Sequence, residues 1–175
     1  MEVTKLFSIC AGHRLLEPYS KRCENLHGHN YVIELCLTGL IDKTGMVIDF
    51  SKIKDRFNYI IDAFDHSLIV NMKDTTLVDL APTVSSRHII LSDNPTAENM
   101  AQFFYSYLSK VISFNFNSIM LTSIKVWETP TSYATCYGNE SKDNNIKIEK
   151  VSTEIFESWS LHQRNEFTEI NFGKL

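Results

Sequence analysis

No stretch of this chain approaches the roughly 20 consecutive apolar residues that a bilayer-spanning helix needs, so no membrane partner is expected. The opening Met1-Glu2-Val3-Thr4-Lys5 lacks the basic-then-apolar order of an export signal, which points to the cytoplasm. Positive charge is not in excess either. Seventeen Lys and Arg against 21 Asp and Glu leave a net charge of −4 and a pI of about 5.8, which argues against a nucleic-acid partner. The four cysteines, Cys10, Cys23, Cys36 and Cys136, form no CxxC pair. Cys10, Cys36 and Cys136 read as reduced, packed thiols. Internal repeats and low-complexity segments are also missing.

What is present is ordinary for a folded domain. The 175 residues (20.2 kDa) are 43% hydrophobic and 22% charged, which excludes global disorder and fibrous architecture. A domain of this size buries roughly 70% of its unfolded surface and needs no metal to fold. A metal site here is therefore functional before it is structural.

The apolar pattern gives a coarse order of elements. Lys5–Leu15 and Tyr31–Leu37 carry the β-branched and apolar residues of strands, with a turn beginning at Thr38-Gly39. Gly45–Asp49 reads as the end of a second hairpin strand. Phe50, Ile53, Phe57, Ile60, Ile61 and Phe64 then fall on one face of a helix capped by Asp49 or Ser51. A second helix begins after Asn94-Pro95, with Thr96 as cap candidate and a stripe of Met100, Phe103, Phe104, Tyr107, Leu108 and Val111. Residues 71–93 between the helices show no clear period beyond a short strand at His88–Leu91. Ile119–Trp127 and Ser132–Tyr137 read as a closing pair of strands. The order ββααββ predicts an antiparallel sheet packed on one face by two helices, an α+β architecture. Residues 1–138 form this domain. Residues 139–175 hold 7 acidic against 5 basic residues and turn weakly amphipathic near Val151–Leu161; they read as a partly helical appendage.

The strongest chemical signal is Cys23-Glu-Asn-Leu-His27-Gly-His29. In an extended segment, residues two apart project from one side, so His27 and His29 can grip one ion, and Gly28 lets something approach the backbone closely. His13 lies on the preceding strand, where a hairpin brings it alongside. Three imidazoles with an open position make a catalytic zinc site, although imidazoles also accept iron and nickel. A lone H-x-H also arises by chance, and spacing alone leaves both readings open. Cys23 reads as a fourth ligand, a nucleophile or base favoured by Lys21 and Arg22, or an inert core thiol. Asp65-His66 offers a carboxylate beside an imidazole, or simply a polar helix end. Glu128 can anchor the N–H pair of a heterocycle or face solvent.

Taken in order, Ala11–Leu15, Cys23 with His27–Tyr31, Gly45–Phe50, Phe64–His66, Asn94–Asn99 and Trp127–Thr129 resemble the 6-pyruvoyltetrahydropterin synthase family, which includes 6-carboxytetrahydropterin synthase. The resemblance covers residues 5 to about 138. It implies the tunnelling or T-fold, in which subunits join their sheets into a barrel as trimers or hexamers with active sites between subunits. It implies His13, His27 and His29 as zinc ligands, Cys23 as the proton-abstracting cysteine, and Asp65 with His66 as a second acid/base pair. By the same resemblance Glu128 holds the pterin ring, and Thr96 and Glu98 belong to a motif loosely tied to the pterin pocket, where a capped helix start explains them equally well.

The implied substrate is the small molecule 7,8-dihydroneopterin triphosphate. The compact Cys23–His27 spacing looks like the bacterial 6-carboxy enzymes of the queuosine route, whose products are 6-carboxytetrahydropterin, acetaldehyde and triphosphate. The alternatives are the sister 6-pyruvoyl reaction and, in another class, a non-catalytic pterin- or purine-binding T-fold protein. Cys23, Asp65 and His66 together argue against the latter, since binding alone needs no acid/base set. A zinc hydrolase on another scaffold has no H-E-x-x-H to support it.

Overall fold

Alternating burial builds the two longest strands, β1 (Glu2–His13) and β2 (His27–Gly39): Phe7, Ile9 and Ala11 are buried on β1, and Tyr31, Ile33 and Leu35 on β2, with more exposed residues between them. The computed structural model describes residues 1–17, 20–138 and 146–166, apart from the side chains of 161–166. After β2 come α1 (Phe50–Phe64), β3 (Ser67–Asn71), α2 (Thr75–Val84), β4 (His88–Leu91), α3 (Ala97–Asn115), β5 (Ile119–Thr129), β6 (Ser132–Tyr137), β7 (Ile148–Val151) and α4 (Thr153–Glu166). The chain forms two compact units, the first from the described parts of Met1–Ile9, Asn30–Asn58 and Thr96–Ile146, the second from those of Cys10–His29, Tyr59–Pro95 and Lys147–Leu175.

In the first unit the strands run in the order β6-β5-β2-β1. β2 and β5 pair antiparallel from Val32↔Trp127 to Gly39↔Ile119, and β5 pairs antiparallel with β6. Helix α3 packs on β5 and β6. All six residues of its expected stripe are buried, and Thr96 is its N-cap, accepting from the Asn99 N–H at 3.2 Å.

In the second unit the order is β2-β1-β3-β4-β7. Ala11↔Ser67 and Leu68↔His88 are parallel pairs, and Ile89↔Val151 is antiparallel. Parallel neighbours need a crossover, and α2 supplies it between β3 and β4. Leu77 and Ala81 of α2 join Leu68, Val70 and Ile90 in a small core.

The ββααββ order is present in β1, β2, α1, α3, β5 and β6. The short strand expected at His88–Leu91 is present as β4; the structure adds β3 before the connector and α2 within it, so the sheet is mixed and not wholly antiparallel, and the described residues hold four helices. It also corrects one expectation: Gly45–Asp49 is not a strand. The Asp42 carboxylate collects the Thr44 N–H, the Thr44 hydroxyl and the Met46 N–H, and Gly45 sits at φ +84°, so this segment is a turn-built loop. At the start of α1, Asp49 accepts from the Ser51 N–H at 2.8 Å and serves as the cap.

Candidate metal centre and pterin site

His13 ends β1, while His27 and His29 begin β2 on one side of the strand, with Gly28 between them. A Cβ at Gly28 would stand 2.9 Å from the Ala11 carbonyl oxygen, so only glycine lets β1 come this close. The partner approaching Gly28 is thus the strand that carries His13. The three imidazoles offer ligand nitrogens that all lie within 4.8 Å of one another.

The outer contacts fix how these rings are used. His13 Nδ1 lies 2.9 Å from the Pro95 carbonyl, and His27 Nδ1 lies 2.7 Å from the Asn25 carbonyl. A carbonyl only accepts, so each Nδ1 carries the proton and each Nε2 presents a lone pair. The two Nε2 atoms face each other at 3.1 Å. Two lone pairs at that distance repel unless a cation lies between them, and nitrogens bound to one tetrahedral zinc stand about 3.3 Å apart. The donor set therefore fits a divalent metal. Burial, opposed in part by the Pro95 carbonyl, lowers the His13 pKa to about 4, with the neighbouring imidazoles adding to the shift. His13 is thus a neutral imidazole at pH 7, the form a metal would require.

Behind these imidazoles lies a shell of polar side chains. Buried Asn94 accepts from the Leu16 N–H and from Asn71 Nδ2, both at 2.9 Å, and donates to the Leu16 carbonyl, which fixes the segment leading to Pro95. Arg14 forms a bidentate pair with Asp74 at 2.5 Å on both arms, and Asp74 also caps α2 by accepting from Leu77 N–H. Arg14 is therefore committed to Asp74. Neither contact was legible in the sequence, because Asp74 and Asn94 lie 60 and 78 positions from Arg14 and Leu16, the residues they hold just after β1.

Cys23 is half-buried in a turn after His13. Its N–H donates to the Ser20 carbonyl at 2.9 Å, its carbonyl accepts from Leu15 N–H at 2.8 Å, and the Ser20 hydroxyl donates to its sulfur at 3.1 Å. Lys21 and Arg22 beside it are exposed.

Asp65 and His66 follow the last turn of α1. His66 Nδ1 lies 3.0 Å from Asp65 Oδ2, and the imidazole is 75% exposed. The other carboxylate oxygen accepts from Cys10 N–H at 2.8 Å. Burial pushes the Asp65 carboxyl upward, but the hydrogen bonds from Cys10 and His66 outweigh it and hold the group below its ordinary value.

Glu128 lies in the first unit, half-buried at a bulge. The β5–β6 register slips between Trp127↔Tyr133 and Thr129↔Ser132, which places Glu128 at a bulge of β5. The Tyr31 hydroxyl is pushed to higher pKa by burial and, secondarily, by the charge of Glu128. The Thr96 hydroxyl is occupied in capping α3, and Glu98 is exposed on the first turn of that helix.

An α+β sheet of this strand order is a T-fold, and two solved structures with the same fold illustrate it. Plasmodium falciparum 6-pyruvoyl tetrahydropterin synthase superposes with a TM-score of 0.61 at 23% identity, over 78% of this chain and 96% of its own. The enzyme of the same name from Caenorhabditis elegans gives 0.58 at 28% identity, over 79% and 95%. Residues 2–139 match the family described as 6-pyruvoyl tetrahydropterin synthase, and the chain belongs to that family. The 6-carboxy-5,6,7,8-tetrahydropterin synthase of Rickettsia conorii is 36% identical over 136 residues, 76% of this chain and 97% of the relative. That of Haemophilus influenzae is 32% identical over 140 residues, 75% and 95%. Among the described residues, no helix is long and apolar enough to cross a membrane.

Proposed function

We propose that this chain is a zinc-dependent lyase that converts 7,8-dihydroneopterin triphosphate to 6-carboxy-5,6,7,8-tetrahydropterin, releasing acetaldehyde and triphosphate. The observation that carries the reading is the trio His13, His27 and His29, two of whose rings are turned by backbone carbonyls to aim Nε2 at a common point. Relatives named as 6-carboxy synthases, covered over nearly their whole length, favour this reaction over the 6-pyruvoyl one. Zinc, when bound there, supplies a Lewis acid that polarises the side-chain oxygens of the substrate.

The protein's own groups do the rest. Glu128, at the β5–β6 bulge, accepts the paired N–H groups of the pterin ring and fixes its orientation. The Cys23 sulfur takes a proton from the substrate side chain. The His66 imidazole, held by Asp65 through Nδ1, exchanges a second proton through Nε2. Thr96 holds the start of α3 in place, and Glu98 lies one turn away. The sister 6-pyruvoyl reaction uses the same groups and differs in keeping all the side-chain carbons. Cytoplasmic location and assembly into a homotrimer or homohexamer belong to the same reading, in which residues 1–138 carry the acid/base and ligand side chains.

The deciding experiment is mass analysis of the products after the zinc-loaded protein is incubated with 7,8-dihydroneopterin triphosphate. The 6-carboxy compound with acetaldehyde is expected. A 6-pyruvoyl product overturns the choice of reaction, and unconsumed substrate with zinc bound overturns the substrate.

A further inference from the structure

The family match ends at residue 139, yet the segment beyond it reaches the turn that carries Asp65 and His66. The connection runs through Arg87, just before β4. Its Nε donates to the Asp65 carbonyl at 3.1 Å and its Nη2 to the Asp62 carbonyl at 2.5 Å, so one guanidinium holds two carbonyls at the C-terminal end of α1. Nη2 also lies 3.2 Å from the Asp62 carboxylate, and Nη1 donates to Glu154 at 3.0 Å. Glu154 stands in the first turn of α4, and α4 is well anchored. Ser152 N–H donates to the His88 carbonyl at 2.9 Å, β7 pairs with β4, Ile155 is buried, and Trp159 Nε1 donates to the Tyr59 carbonyl of α1 at 3.2 Å.

The turn needs such a hold. His66 has φ +54°, a left-handed conformation that costs a non-glycine residue about 1 kcal/mol or more. Two contacts tie it to β1: His66 N–H donates to the Cys10 carbonyl at 2.6 Å, and Asp65 accepts from Cys10 N–H. The Asp65 main chain is held at both its polar groups: its N–H donates to the Asp62 carbonyl at 2.9 Å, and its carbonyl accepts from Arg87. We propose that Arg87, oriented by Glu154 from the C-terminal segment, is a positioning residue for the Asp65–His66 pair. The inference rests on the acid/base role of His66 given above. It assigns the segment after residue 139 a part in the reaction: it sets the fork that fixes the main chain from which the imidazole projects. A lysine at 87 cannot replace the fork, because a single ammonium cannot match planar N–H donors aimed at four acceptors on three residues.

The test uses the full-length, zinc-loaded protein with Arg87→Ala, Arg87→Lys and Glu154→Gln. Steady-state kinetics on 7,8-dihydroneopterin triphosphate are read together with the nitrogen-15 NMR signal of the His66 ring. Arg87→Ala is expected to lower kcat about 10-fold with KM within about 2-fold and zinc content unchanged, while the His66 Nδ1 signal loses its Asp65-bonded character. Added guanidinium should restore part of kcat, Arg87→Lys should not recover it, and Glu154→Gln should lower it by about 2- to 3-fold. Unchanged kcat and an unchanged His66 signal in Arg87→Ala overturn the proposal. If that variant does not fold, the same result in Arg87→Lys and Glu154→Gln overturns it. His66→Asn in the same assay judges the underlying reading separately: normal turnover there removes the acid/base role, whereas the NMR signal still decides whether Arg87 holds the turn.

Discussion

His13 and His27 face each other through Nε2 atoms 3.1 Å apart, each ring turned by a hydrogen bond from its Nδ1 to a backbone carbonyl. The carbonyls belong to Pro95 and Asn25, so the tautomers are set by main chain and not by any neighbouring acid. A site arranged this way is prepared for a cation before one arrives.

His27→Ala removes one of these opposed nitrogens and should weaken zinc binding by roughly 100-fold or more, with activity falling in parallel. Metal content by elemental analysis after dialysis, set beside turnover, checks this. Full zinc occupancy in the variant would overturn the ligand assignment.

Cys23→Ala separates the roles left open for the cysteine. With three imidazoles sufficient for the metal, the variant should keep its zinc and lose turnover by about 10²- to 10⁴-fold, the range of a lost acid/base group. Zinc lost together with activity would instead favour a closed four-ligand site.

The legible parts of this protein were those whose signal is local. The H-x-H pair follows from the period of a strand, and Thr96 at the start of α3 follows from cap chemistry. The short strand at His88–Leu91 was legible, but β3 and α2 were opaque for physical reasons. All five residues of β3 are buried, so it shows no alternation, and α2 buries only Leu77 and Ala81 and carries Pro82. The bulge at Glu128 is a register shift between two strands, which no single segment encodes. The Arg14–Asp74 pair joins residues brought together only by the fold.

That pair gives the protein a pH-dependent element. The Arg14 hydrogen bonds, against the cost of burial, hold the Asp74 carboxyl below its ordinary value of 3.8, with Leu77 N–H assisting. A depressed carboxyl contributes stability that is complete above its unfolded pKa and is lost as pH falls through the folded value. Asp74→Asn should therefore cost about 2 kcal/mol at pH 7, nearly as much at pH 5, and progressively less below about pH 4. Denaturant titrations of both proteins across that range check the sign. A gap that widens on acidification would contradict it.

Trp159 tests whether the C-terminal segment is integral to the second unit. Only 4% of it is exposed, and its indole N–H satisfies the Tyr59 carbonyl on α1. Trp159→Ala removes a large buried ring and its hydrogen bond to α1, so a loss of about 3–5 kcal/mol is expected. Exposed Glu157 on the same helix supplies the control, since Glu157→Ala should stay within about 0.5 kcal/mol. Truncation after Gly138 removes Trp159, Ile155 and Val151 together and also strips β4 of its partner β7, opening a bare sheet edge beside apolar Ile89 and Ile90. Such a protein should aggregate where the point variant merely melts earlier. A soluble, active truncation with unchanged melting temperature would show that the segment is a dispensable appendage.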